Sequence, residues 1–109
     1  MFGLFKKQKK YSSIKASEFN KVLKNNDSVI IDVRSESEQK SGKIPGSILV
    51  NVSRPDFAQK VSNMDKNKSY YLYCRSGFRS AKACGIMYDL GFEKVYNLSG
   101  GIMAWNRSK

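Results

Sequence analysis

The chain contains no histidine, and this absence excludes several classes of enzyme. A Ser-His-Asp hydrolase, a Cys-His protease and a His-ligated metal site each need an imidazole as base or ligand. Cysteine is also scarce, because Cys74 and Cys84 are the only two and lack the C-x-x-C spacing of zinc or thioredoxin-type sites. We therefore expect no metal and no cofactor, and a reactive cysteine in this chain must work without a histidine base.

Acidic residues are few, nine against twenty Lys and Arg, and the 109 residues carry a net charge of +11. This charge favours anionic partners. The cations are scattered, however, and no nucleic-acid-binding motif accompanies them, so general solubility is the simpler interpretation. We expect no nucleic-acid partner.

Long apolar runs are absent, so no segment is expected to span a membrane. The start, MFGLFKKQKKYSS, places its apolar residues before its charges, which is the reverse of a secretory signal, and we expect a cytoplasmic protein. Residues 1–11 are expected to form a basic, mobile segment before one domain at 12–109. An alternative for residues 1–10 is weak, reversible contact with an anionic membrane surface.

Short apolar runs bounded by polar clusters predict four strands, at 29–31, 47–52, 70–73 and 94–98. Helical spacing lies between them, at 17–24, 35–40, 56–63, 78–90 and from about 102. Near-continuous apolarity in the strands is typical of a parallel α/β sheet that is covered on both faces.

The helix at 78–90 has the clearest pattern. Ala81, Cys84, Met87 and Tyr88 fall on one predicted apolar face, and Gly91 looks like a left-handed cap at the end of the helix. Cys84 is therefore expected in the core, beyond disulfide reach of the other cysteine.

The stretch YYLYCRSGFRS places Cys74 between a predicted strand and that helix, where open parallel sheets bind anions. A helix N-terminus and nearby arginines lower the pKa of a thiol. Ser76 and Gly77 allow the backbone to curl so that its N–H groups surround the sulfur, and Arg75 and Arg79 are placed to fix an oxyanion. The alternative is a buried, inert thiol at a strand end, but arginines are poor neighbours for a core.

Three motifs in order give a resemblance to the rhodanese family of sulfurtransferases, most closely its small single-domain members. The family's active-site loop resembles CRSGFRS, and its first long motif resembles VIIDVRSESEQKSGKIPGSILVNV. Its closing motif resembles LGFEKVYNLSGGIMAW. Together the match covers about residues 12–106.

The resemblance implies an α/β fold with a central parallel five-stranded sheet and helices on both faces. It also implies that Cys74 takes a sulfane sulfur from a small anionic donor such as thiosulfate and passes it to cyanide, a thiol or a protein acceptor. The site residues that it implies are Cys74 as catalytic and Arg75, Ser76, Gly77, Phe78 and Arg79 as substrate-binding.

Other matched positions imply structural roles. Asp32 and Arg34 are expected to anchor a strand end, whereas Gly100, Gly101 and Trp105 are expected to shape the last turn and helix. One departure stands out, because this chain has GKIPG, with Lys43 where the family usually has histidine. We expect this change to affect local packing or surface properties more than sulfur transfer.

Two other functions compete with sulfurtransferase turnover. One is a persulfide carrier or regulatory module for a protein partner, which would use the same loop. The other is a cysteine-dependent phosphatase or arsenate reductase, but Cys74 to Arg79 is C-x4-R, one residue shorter than the usual phosphate loop. Nor does the sequence place a carboxylate in or next to the loop to protonate a leaving group.

Overall fold

A computed structural model describes residues 11–109 as a parallel five-stranded sheet with helices on both faces, which confirms the predicted fold. The strands are β1 (Ser12–Ile14), β2 (Ser28–Asp32), β3 (Ile48–Leu49), β4 (Ser69–Tyr73) and β5 (Val95–Leu98), in the spatial order β1-β5-β4-β2-β3. The helices are α1 (Ala16–Val22), α2 (Glu36–Lys40), α3 (Phe57–Ser62), α4 (Phe78–Asp89) and α5 (Gly101–Arg107).

The predictions for residues 1–10, including contact with a membrane surface, lie outside the described residues. The domain boundary at residue 12 stays a prediction. Within 11–109, no helix has the length and apolar character needed to cross a bilayer.

Each face of the sheet has its own apolar core. On one face, α3 and α4 pack over β2 and β4, with Val61, Met87 and Leu72 fully buried. On the other face, α1 and α5 contribute Phe19 and Trp105. Cys74 belongs to the first core and its neighbour Tyr73 to the second, as expected from the alternation of side chains along a strand.

Helix α4 confirms Cys84 and Met87 on the predicted apolar face but not Ala81, which is half-buried, or Tyr88. The buried residues are Ser80, Ala83, Cys84 and Met87, whereas Tyr88 is 41% exposed. The face is therefore rotated toward Ala83, because the loop before the helix turns Ser80 inward. The predicted cap is confirmed by two backbone hydrogen bonds that end the helix. Gly91 N–H donates to the Tyr88 carbonyl, and Phe92 N–H donates to the Met87 carbonyl. The Phe92 side chain is buried.

Two strands differ from the prediction. The run 47–52 is a strand only at Ile48–Leu49, although Val50 and Val52 still donate backbone hydrogen bonds to β2 and the residue after it. β1 was missed because Ser12 and Ser13 are polar and exposed, so this edge strand carries no apolar signal.

Candidate active site

Cys74 lies at the carboxyl end of β4, at the centre of the sheet, and is followed by a tight loop into α4. Gly77 precedes the helix with φ 105°, a left-handed conformation that residues with a side chain rarely adopt. The glycine lets the chain reverse within four residues, so the first turn of α4 faces the sulfur.

Three donors surround the Cys74 sulfur. The Gly77 N–H lies 3.1 Å from Sγ, and the Ser80 N–H and hydroxyl each lie 3.4 Å from it. Cys74 itself is only 1% exposed. Two N–H groups and one hydroxyl therefore point at the sulfur, in agreement with the predicted curl of the loop.

Asn97 on β5 holds the Ser80 hydroxyl and the loop together. Its Oδ1 lies 2.5 Å from Ser80 Oγ, and its Nδ2 donates to the Gly77 carbonyl at 3.2 Å. A hydroxyl carries one proton, so Ser80 donates either to Asn97 or to the sulfur. A negatively charged sulfur competes for that proton, because hydrogen bonds to ionised acceptors are stronger.

These donors decide the pKa of Cys74. Burial raises the pKa of the thiol, but the Ser80 hydroxyl and the N–H groups of Ser80, Gly77 and Ser76 together outweigh burial and hold that pKa below its ordinary value. The thiolate is the nucleophilic form, so the loop increases the reactive fraction at neutral pH.

The two loop arginines have different surroundings. Arg75 is exposed at the start of the loop. Arg79, by contrast, makes a bidentate ion pair with Glu38 of α2, with both N···O distances 2.8 Å. Glu38 already compensates much of the charge of Arg79. The predicted oxyanion-binding role therefore suits Arg75 better than Arg79, and it stays a prediction for both. Sequence adjacency gave no hint of this carboxylate, which comes from 41 residues away.

Glu38 is fixed from two sides. Besides Arg79, it accepts hydrogen bonds from the backbone N–H and hydroxyl of Ser35, whose own oxygen caps α2. These partners, Arg79 foremost, lower the pKa of Glu38 to about 2 despite partial burial. The sequence signal that could have identified it is the S-x-x-E spacing of a capping box.

The loop is supported from behind by α5. The backbone N–H groups of Ile102 and Met103 donate to the carbonyls of Cys74 and Arg75 at 2.9 and 3.2 Å. A Cβ at Gly101 would lie 2.6 Å from the Cys74 carbonyl oxygen and closer still to that of Arg75. Gly101 thus has the expected structural role, because only glycine allows the helix to approach so closely.

The end of β2 confirms the structural role predicted for Asp32 and Arg34. Their buried side chains form a bidentate pair at 2.9 and 2.8 Å, and the Tyr73 hydroxyl donates to Asp32 at 3.0 Å. Arg34 also donates to the Gly42 carbonyl at 2.7 Å, which fixes the loop before β3. Lys43, the departure from the family pattern, is exposed in that loop.

The predicted substrate-binding residues 75–79 are together beside Cys74, but their role stays a prediction. Phe78 is conspicuous among them, because its side chain is 85% exposed on the first turn of α4. Cys84 lies fully buried on α4, is free, and has a pKa raised by burial, so its expected place in the core is confirmed. Across 11–109, no cluster of three or more potential ligands suited to a metal ion occurs.

Comparison with known proteins gives one consistent result. Residues 15–108 match the rhodanese-like domain family. The chain is 40% identical to YtwF of Bacillus subtilis over 76 residues, covering 70% of this chain and 71% of that protein. It is 35% identical to a sulfurtransferase of Allochromatium vinosum, covering 74% of each.

A solved structure and a longer relative extend the comparison. The rhodanese-related protein of Thermoplasma volcanium superposes with a TM-score of 0.80 at 30% identity, covering 90% of this chain and 93% of that one. The chain is also 32% identical to the tRNA uridine(34) hydroxylase of Cytophaga hutchinsonii, covering 84% of this chain but only 30% of that protein.

Proposed function

The chain belongs to the family of rhodanese-like domains, and we propose that it is a sulfurtransferase that carries a sulfane sulfur as a persulfide on Cys74. The donor class is a small anion such as thiosulfate, and the acceptor is cyanide, a low-molecular-weight thiol or a protein thiol. The observation that carries the proposal is the set of donors around Cys74 Sγ, which favours a thiolate in a chain that has no histidine base.

The first half-reaction is a displacement at sulfur. The Cys74 thiolate attacks the outer sulfur of thiosulfate, the S–S bond of the donor breaks, and sulfite leaves with the bonding electrons. Arg75, exposed at the start of the loop, supplies a cation for the anionic donor. The product is a Cys74 persulfide whose charge faces the N–H groups of the loop.

The second half-reaction regenerates the thiolate. Cyanide or a thiolate attacks the outer sulfur of the persulfide, a new bond to sulfur forms, and Cys74 leaves as the thiolate held by Gly77 and Ser80. The same donors therefore increase the thiolate fraction available for attack in one step and stabilise the leaving thiolate in the other. No proton transfer to or from the cysteine is required, which agrees with the lack of histidine.

Intact-protein mass spectrometry tests this proposal. The reduced protein is incubated with thiosulfate and measured without reductant, beside a Cys74→Ser variant. We expect a gain of one sulfur atom in the parent chain, removal of that sulfur by cyanide, and no gain in the variant. A folded, reduced parent chain that gains no sulfur from thiosulfate or from a persulfide donor would refute the proposal.

A persulfide carrier for a protein partner is the second candidate, and the exposure of Phe78 favours it. An aromatic side chain that is 85% exposed four residues from the reactive sulfur is suited to contact with a protein surface. Phe78→Ser should then reduce sulfur transfer to a protein dithiol such as thioredoxin more than transfer to cyanide. An equal reduction for both acceptors would argue for small-molecule turnover alone.

The phosphatase alternative is disfavoured by the surroundings of the two groups it would use. Arg79, which would bind a phosphate, is paired with Glu38. Asp32, the carboxylate at the end of the neighbouring strand, is buried in a bidentate pair with Arg34 and is not available as an acid. The activity named for the tRNA hydroxylase is not proposed for this chain, which matches less than a third of that protein.

A further inference from the structure

Asn97, near the carboxyl end of β5, connects the sheet to the reactive loop. The residue is only 6% exposed, its Nδ2 donates to the Gly77 carbonyl at 3.2 Å, and its Oδ1 lies 2.5 Å from Ser80 Oγ. The carbonyl of Gly77 accepts hydrogen bonds and cannot donate them, so the amide is oriented with Nδ2 toward it. Oδ1 therefore faces Ser80 and accepts a hydrogen bond from its hydroxyl.

The Ser80 hydroxyl lies between two acceptors of different kinds. Asn97 Oδ1 is a neutral acceptor at 2.5 Å, whereas Cys74 Sγ lies 3.4 Å away and changes its charge during the reaction. A hydroxyl has a single proton to donate. The shorter contact favours Asn97 while the sulfur is uncharged, and a thiolate attracts the same proton because hydrogen bonds to ionised acceptors are stronger. Only the O–H bond rotates, and the proton stays on the serine oxygen.

The negative charge moves outward when the site is loaded with sulfur. In the free thiolate the charge lies on Cys74 Sγ, whereas in the persulfide it lies on the outer sulfur, which an acceptor has to reach. Ser80 is fully buried and Asn97 nearly so, and the pair therefore faces the inner sulfur from the buried side of the loop. In the persulfide this inner sulfur is uncharged, so the hydroxyl returns to Asn97.

The exchange of acceptors has an energetic consequence. When Ser80 donates to the thiolate, Asn97 Oδ1 loses this partner inside the protein, and leaving a buried acceptor unpaired is costly. When the inner sulfur is uncharged, the two side chains stay paired. We infer that Asn97 is a positioning residue that holds the Ser80 hydroxyl while the inner sulfur is uncharged and so stabilises the Cys74 persulfide against the free thiolate.

This inference rests on the proposed function and concerns the equilibrium of its first half-reaction. The thiolate and thiosulfate give the persulfide and sulfite, with one S–S bond broken, one formed and no net change of charge. Asn97 acts on the sulfur through Ser80 and takes no part in the bonds that form and break. Without Asn97 the persulfide should give up its sulfur more readily, because the departing thiolate then keeps the hydroxyl without leaving an acceptor unpaired.

The loading equilibrium tests this role. Each protein is incubated with fixed ratios of thiosulfate to sulfite, at a pH where Cys74 is ionised, and the persulfide fraction is read by intact-protein mass spectrometry. Asn97→Leu is similar in size but has no acceptor, and it should lower the equilibrium constant about fivefold, as expected from one hydrogen bond. Asn97→Asp keeps an oxygen toward Ser80 and should load at least as well as the parent chain. In a Ser80→Ala background, Asn97→Leu should change nothing, because no hydroxyl remains to be held.

NMR of the Asn97 side-chain carbonyl carbon tests the same exchange in the parent chain, and this test stands even where Asn97→Leu does not fold. The signal should shift when Cys74 ionises, because Oδ1 loses its donor, and should return when the persulfide forms. Ser80→Ala should show neither change. The pKa of Cys74 should also be lower in Asn97→Leu than in the parent chain. Arg79 and Cys84 interact with the Cys74 charge as well, but they are identical in all these proteins.

The two measurements separate this inference from the proposed function. The inference is overturned if the Asn97 signal does not respond to ionisation of Cys74, or if Asn97→Leu lowers loading equally with and without the Ser80 hydroxyl. Asn97 would then only hold the loop through Gly77. A parent chain whose Asn97 signal follows the ionisation of Cys74 but that never gains sulfur would instead refute the proposed function and leave the link between Asn97, Ser80 and the thiol standing.

Discussion

Cys74 and Cys84 are both inaccessible to solvent, 1% and 0% exposed, yet their surroundings give them opposite chemistry. Cys74 ends a strand and faces N–H and O–H donors, which hold its pKa below the ordinary value. Cys84, inside α4, is packed among apolar side chains, and burial raises its pKa. Burial alone therefore does not predict whether a thiol is reactive, because the polar groups aimed at the sulfur decide the sign of the shift.

Replacing each cysteine by alanine in turn is the strongest test of this comparison. Cys74→Ala should lose sulfur loading from thiosulfate completely, whereas Cys84→Ala should load one sulfur per chain at a stability cost of about 1–2 kcal/mol for the lost core contact. Loading is measured by mass spectrometry and stability by urea unfolding. A folded Cys84→Ala protein that fails to load sulfur would show that the core thiol takes part in transfer.

Two glycines provide the second test, one packed against the Cys74 loop and one following Cys84 in the chain. Gly101 lies against the Cys74 and Arg75 carbonyls, whereas a Cβ at Gly85, which follows Cys84, meets nothing within 4 Å. We expect Gly101→Ala to destabilise the protein by about 2–4 kcal/mol and to impair loading, because the loop must shift. Gly85→Ala should stabilise it by about 0.5–1 kcal/mol through helix propensity. Similar unfolding midpoints for both variants would contradict the close packing of α5 on the loop.

Removing one donor should make Cys74 more like Cys84. Ser80→Ala deletes the hydroxyl at the sulfur, so the pKa of Cys74 should rise. The loading rate at pH 7 should fall about tenfold, as expected from losing one hydrogen bond to an ionised acceptor. At a pH above both pKa values the two rates should converge, because the thiol is then ionised in each protein. A Ser99→Ala variant serves as the control, and a rate loss in Ser80→Ala that is independent of pH would point to altered positioning instead.

The smallest predicted effect is a change in the free energy of unfolding, and it concerns Glu38 of α2. Glu38 has a folded-state pKa of about 2, below its ordinary 4.5. Its contribution to stability is therefore present above about pH 4.5 and is lost as pH falls toward 2. The side chains of Arg79 and Glu38 are 34% and 32% exposed, so screening reduces the contribution to about 1 kcal/mol. Glu38→Gln should be less stable than the parent chain by that amount at pH 7 and equally stable near pH 2 in urea unfolding, whereas a constant difference would exclude the ion pair as its cause.

Local sequence patterns predicted the position of Cys74 and the fold, because residues close together in sequence determine where strands end, where helices start and where glycine turns occur. The sequence did not reveal Glu38 or Asn97, since their contacts with the loop cross 41 and 20 residues of chain. Ser80 was hidden for a different reason, because a serine on the first turn of a helix is ordinary until the loop turns it toward the sulfur. β1 was missed because an exposed edge strand needs no apolar residues.

The contact between α5 and the loop also sets the order in which the site is completed. A chain that has emerged from the ribosome only through α4 contains Cys74, Gly77 and Ser80 but lacks Asn97 and the N–H groups of Ile102 and Met103. We therefore expect the loop to reach its activated form only when β5 and α5 dock. For the same reason, slow hydrogen exchange at the Ile102 and Met103 amides should report how often the folded protein opens its reactive loop.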